Sequence, residues 1–118
     1  MKKSVAHAFF LVCTCVLLFG CSDNAYNLSK QDLAAFQNAA PEMKQAWEKG
    51  LQADKANDYL TASTNYRSLL TKSITAEQLV VVQAALEGLN YRMNEAAANG
   101  NASATKAIEA LKEGAPKR

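Results

Sequence analysis

The groups that could do chemistry in this chain are few and unevenly placed. Among 118 residues there are three cysteines (Cys13, Cys15 and Cys21), one histidine (His7) and eleven acidic residues. The Cys-x-Cys spacing of Cys13 and Cys15 would elsewhere prompt a metal or redox reading. Both, however, lie inside an apolar run, residues 8–19, broken only by Thr14 and preceded by Lys2-Lys3 and His7. A positive start, an apolar run and a small residue (Gly20) form the layout of a secretory signal peptide. The run is about 12 residues, against roughly 20 needed to span the hydrocarbon core, so a permanent transmembrane helix fits poorly.

Leu18-Phe19-Gly20-Cys21 closes that run and resembles the lipobox of bacterial lipoproteins. In that family a leucine three residues upstream and a small residue just upstream guide diacylglycerol onto the cysteine thiol. Leu18, Gly20 and Cys21 stand at these positions, with Phe19 where a small residue is usual. The resemblance implies cleavage between Gly20 and Cys21, lipid attachment (diacylglycerol, palmitate) at Cys21, and a place in the bacterial cell envelope. A lipoprotein cysteine carries two or three acyl chains, and stable anchoring needs two or more. Ser22, where aspartate favours the inner membrane in some lineages, favours the outer membrane in a cell that has two.

Cleavage there would empty the chain of most reactive groups. His7, Cys13 and Cys15 would leave with residues 1–20, and the sulfur of Cys21 would be occupied by lipid. No disulfide could then form, even in an oxidising compartment. The formal net charge of +2 equals the contribution of Lys2 and Lys3, so the remainder is neutral. A neutral, exported domain lacks the basic footprint of a nucleic-acid binder. Without imidazole or free thiol, Ser-His-Asp and Cys-His sites and the usual zinc ligand sets are excluded. The carboxylates offer little more: Glu109 and Glu113 belong near a helix end facing solvent. Asp54 and Asp58 flank a turn, Asp58 as a cap. No catalytic, cofactor-binding or metal residue is therefore expected, and the chain reads as a non-enzyme.

The spacing of apolar residues and caps predicts an all-α domain of four or five helices. Residues 21–28 form the modified cysteine and a polar tether, 29–114 the helical domain, and 115–118 a tail. Ser29 caps a first short helix with an apolar face of Leu33, Phe36 and Ala40, and Leu28 and Leu33 stand in staple positions around it. Pro41 opens a second helix, whose face is Met43, Ala46, Trp47, Gly50 and Leu51. Asn57-Asp58 breaks the chain, and Tyr59, Ala62, Ser63, Tyr66, Leu69 and Leu70 line a third. Thr75 and Gln78 make a capping box, with Ile74 and Leu79 as its staple, for a long helix over residues 76–98. Its seam reads Leu79, Val82, Leu86, Leu89, Met93 and Ala96, a 3-4-3-4 spacing. Asn99-Gly100 ends it, and a last helix over residues 102–113 buries Ala104, Ala107, Ile108 and Leu111. No stretch alternates as a strand would.

Residues 43–76 resemble a tetratricopeptide repeat, a helical hairpin of about 34 residues. Gly50, Asn57-Asp58-Tyr59, Ala62 and Tyr66 carry the resemblance. It implies that glycine and alanine let the paired helices approach while aromatics fill the gap. A second unit can be drawn with Gly100-Asn101 as its turn, 43 residues beyond the first. The alternative is another four- or five-helix bundle packed by small residues and aromatics.

These readings favour a membrane-anchored, non-catalytic binding or accessory protein of the envelope. On the repeat resemblance it would dock a helix or extended peptide of another envelope protein between its hairpins, a surface to which Lys44, Lys55, Tyr91 and Arg92 could contribute. The alternatives are a structural lipoprotein that self-associates as a homo-oligomer through the seam of the long helix, or a carrier of a hydrophobic ligand.

Overall fold

A computed structural model describes residues 28–115; Gly20, Cys21, the leader and most of the tether lie outside the described residues. Five helices follow in order: α1 (Lys30–Ala34), α2 (Pro41–Lys55), α3 (Tyr59–Leu70), α4 (Ala76–Ala98) and α5 (Ala102–Glu113). The described residues contain no strand, so the fold is a small all-α bundle.

Each start has a local cause. Ser29 accepts a hydrogen bond from the Asp32 amide while the Asp32 carboxylate accepts one from the Ser29 amide. Thr75 and Gln78 exchange the same reciprocal pair at the start of α4. Pro41 occupies the first turn of α2, where its missing N–H costs nothing. Asp58 and Asn101 accept from the amides of Thr61 and Ala104 at the starts of α3 and α5.

The two hairpin turns share one geometry. After α2, Asn57 adopts a left-handed φ of 56°. The Asp58 amide then returns to the Ala53 carbonyl at 2.9 Å and the Asn57 amide to the Asp54 carbonyl at 3.1 Å. After α4, Gly100 takes φ 87°, the Asn101 amide reaches the Ala96 carbonyl at 2.9 Å, and the Gly100 amide reaches the Ala97 carbonyl at 3.0 Å. Both are Schellman motifs followed at once by the cap of the next helix. The chain therefore reverses twice in the same way, pairing α2 with α3 and α4 with α5. Helix α3 also packs against α4 and α5.

The core runs from an aromatic end to an aliphatic one. Phe36 stacks on Trp47 at a centroid separation of 5.0 Å, and Trp47 meets Tyr66 at 5.4 Å. Tyr59, Ala62, Leu69, Val82, Ala85, Leu89, Met93, Ala104 and Ala107 continue it towards α5. Two polar side-chain atoms in it, Trp47 Nε1 and Ser63 Oγ, have no hydrogen-bond partner among the described residues.

Three expectations need correction. The first helix is only five residues long; beyond it the chain tightens into i→i+3 turns, with Gln37 donating to Ala34 and Ala39 to Phe36. Phe36 is buried, but Leu33 and Ala40 are exposed. Leu70, at the end of the α3 stripe, is also exposed. On α4, Val82, Leu89 and Met93 are buried as the seam requires, yet Leu79 is exposed and Leu86 and Ala96 are half-buried. Gln78, Val81, Ala85 and Gly88 are buried instead. The reason is that α4 is covered from two directions, by α3 and by α5, so its buried face is wider than a single seam and turned away from Leu79.

Candidate functional site

Where the two hairpins meet, small and polar residues do what their types allow. Gly50 lies against the Tyr66 ring so closely that an added Cβ would fall 2.5 Å from a ring carbon. Glycine is therefore required there by contact, not by backbone conformation. This approach lets the Tyr66 hydroxyl donate to Asp54 Oδ2 at 3.2 Å. The other Asp54 oxygen accepts from the Arg92 guanidinium. One carboxylate thus links α2, α3 and α4, and both members of the ion pair are mostly covered. Burial raises the Tyr66 pKa above the ordinary tyrosine range; the Asp54 charge and hydrogen bond raise it further, and Arg92 opposes them. The phenol is held neutral as a donor.

Two concave surfaces lie elsewhere on the bundle. Between the hairpins, α3 and α5 form a cleft of about 490 Å³ lined by Asp58, Leu60, Ser103, Lys106, Ala107 and Ala110. Leu60 is an exposed leucine in that lining, with a carboxylate and an ammonium beside it. Over the aromatic core, α1 and α2 leave a groove of about 340 Å³ that includes Lys30, Leu33, Trp47, Glu48 and Leu51.

The residues singled out in the sequence fall on different parts of this arrangement. Lys44 lines the α1–α2 groove, Lys55 is exposed at the end of α2, and Tyr91 is exposed on α4. Arg92 is not a docking residue on an open face; it is drawn inward by Asp54. Asp58 caps α3 as its position requires. Glu109 and Glu113 are exposed on α5. The Asp54–Tyr66–Arg92 junction is not legible in the sequence, because its members are 12 and 38 residues apart and no local rule joins them. The nearest signal was Gly50 with Tyr66, the hairpin pair that brings the phenol to Asp54.

Asp54 already accepts from two donors, and among the described residues no group of three His, Cys, Asp or Glu side chains could hold a metal ion. No described helix is long and apolar enough to cross a membrane. No family model, curated protein or solved structure matches the chain.

Proposed function

We propose that this chain is a lipid-anchored protein of the bacterial cell envelope whose helical module holds a segment of another envelope protein without transforming it. The observation that carries the reading is the sequence Leu18-Phe19-Gly20-Cys21 behind its apolar run. A diacylated or triacylated Cys21 would be effectively permanent in the membrane. The short tether would then keep the module at the surface of that membrane, the outer one where there are two.

The cleft between α3 and α5 is the surface best suited to a partner. It lies between the hairpins, offers Leu60 as an apolar contact with the small side chains of Ala107 and Ala110, and includes both a carboxylate, Asp58, and an ammonium, Lys106, in its lining. Such a site suits an apolar side chain on a peptide or helix that carries both signs of charge. Self-association through α4 is the weaker alternative, since Val82, Leu89 and Met93 are already covered within the chain.

A photoreactive amino acid placed at position 106 in living cells tests this use of the cleft. A discrete adduct with one envelope protein, absent when the same group replaces exposed Glu87 of α4, is expected. Adducts of equal yield from both positions would contradict it.

A further inference from the structure

Exposed aliphatic side chains are not spread evenly over the bundle. The antiparallel order places α1, the start of α2, the 71–75 connection and the start of α4 at one end; α5, with 12 residues against 23 in α4, runs back along only about half of α4. A hydrogen bond from Gln78 Nε2 to the Ala35 carbonyl, at 3.1 Å, ties α1 to the start of α4 there. The turns at Asn57 and Gly100 mark the other end. Leu70 is 41% exposed, Leu79 38% and Val80 64%, all beside the 71–75 connection, whereas exposed Leu33 of α1 belongs to the α1–α2 groove. The far end instead presents Asn57, Asp58, Asn99 and Asn101 to solvent, with Leu60 set into the cleft.

The tether enters at the apolar end, because Leu28 and Ser29 lead directly into α1. Residues 22–28, fully extended, reach at most about 25 Å. Helix α4, with 23 residues, is about 34 Å long at 1.5 Å per residue. With the bundle upright, the Gly100 turn at the far end of α4 therefore lies beyond the reach of this tether.

We infer that the end of the bundle carrying Leu70, Leu79 and Val80 rests on the surface of the bilayer that holds the Cys21 lipid. This rests on the anchor proposed above. The contact is apolar: Lys30, Lys44 and Lys72 at this end are balanced by Asp32, Glu42 and Glu77, and Lys72 faces Glu42 at 3.9 Å. The lysine stems can lie along the interface with their ammonium groups in water. The arrangement turns the α3–α5 cleft and its Leu60 away from the lipid, towards a partner.

The test uses the mature lipidated protein in vesicles of phosphatidylethanolamine and phosphatidylglycerol with brominated acyl chains. An environment-sensitive fluorophore is attached through Val80→Cys or, separately, Asn101→Cys; both positions are exposed, and helical circular dichroism checks that each variant folds. Bromine quenching several-fold stronger at position 80 than at 101, unchanged between low and high salt, is expected. Equal quenching at both positions, a water-like probe at 80, or quenching that salt abolishes would overturn the inference. Flotation of the same vesicles separates the two proposals. Protein that floats with position 80 in water refutes the orientation alone, whereas protein that does not float refutes the anchor.

Discussion

The two hairpins reverse the chain with the same turn and fill the space behind it with opposite means. In α2–α3, a glycine and three aromatic rings make the contact: Gly50 lies against the Tyr66 ring, Trp47 lies beside Tyr66, and Phe36 closes the stack. In α4–α5, alanines at 85, 104 and 107 with Leu89 and Met93 do so, while Ile108 and Leu111 remain half-buried. Large rings bury more area per residue and fix their neighbours more tightly than alanines do. The turn therefore sets direction in both hairpins, and side-chain volume sets how firmly each is held. The first hairpin should therefore be held more firmly than the second, which walls the α3–α5 cleft.

Truncating the aromatic stack should break this contrast most. Trp47→Ala is expected to cost about 3–5 kcal/mol, the range for large aromatic truncations in a core. Ile108→Ala in the second hairpin should cost well under half of that, since its side chain is only half-buried. Urea unfolding of both variants measures the difference; equal losses would remove the distinction.

Overpacking comes next. Gly50→Ala drives a methyl group into the Tyr66 ring and should cost about 1–3 kcal/mol. Gly100→Ala meets no atom within 4 Å and should cost only the left-handed strain, about 1–2 kcal/mol. A second substitution, Tyr66→Ala, should recover part of the Gly50→Ala loss and none of the Gly100→Ala loss in a double-mutant cycle.

The junction between hairpins predicts a pH dependence. The Tyr66 pKa is raised in the folded chain, so the folded state holds this proton more tightly than the unfolded state, whose tyrosines titrate near about 10. The stabilisation is full below that pH and is lost as pH rises from there towards the folded-state value. Thermal melts above the ordinary tyrosine range should fall with pH, and Tyr66→Phe should flatten that decline. At neutral pH the same substitution removes one hydrogen bond to a carboxylate that Arg92 still pairs, and should cost about 1.5 kcal/mol.

What was legible in the sequence divides along the same line between local and long-range causes. The bounds of α4 and α5, the caps Ser29, Thr75 and Asp58, and the break at Asn57 are decided by neighbours a few residues apart. The types and order of Ser, Thr, Asp, Asn and Gly carry them. The Val80-Val81-Val82 run is helical because its capped start and helical spacing outweigh β-branched propensity. The buried phase of α4 was not legible, since it depends on two helices packing from different directions. Periodicity alone put Leu79 in the core and left Ala85 and Gly88 out. Arg92 shows the same limit: only the fold brings it to Asp54. The candidate site divides likewise, with Gly50 and Tyr66 visible as a hairpin pair and the cleft between α3 and α5 visible only once the hairpins are stacked.

Attachment at Cys21 carries the proposed function, and labelling with clickable palmitate in the native host tests it directly. The wild-type chain should incorporate the label and fractionate with the membrane, while Cys21→Ala should lose both the label and the membrane. Label and membrane association that survive Cys21→Ala would contradict the anchor and the function built on it.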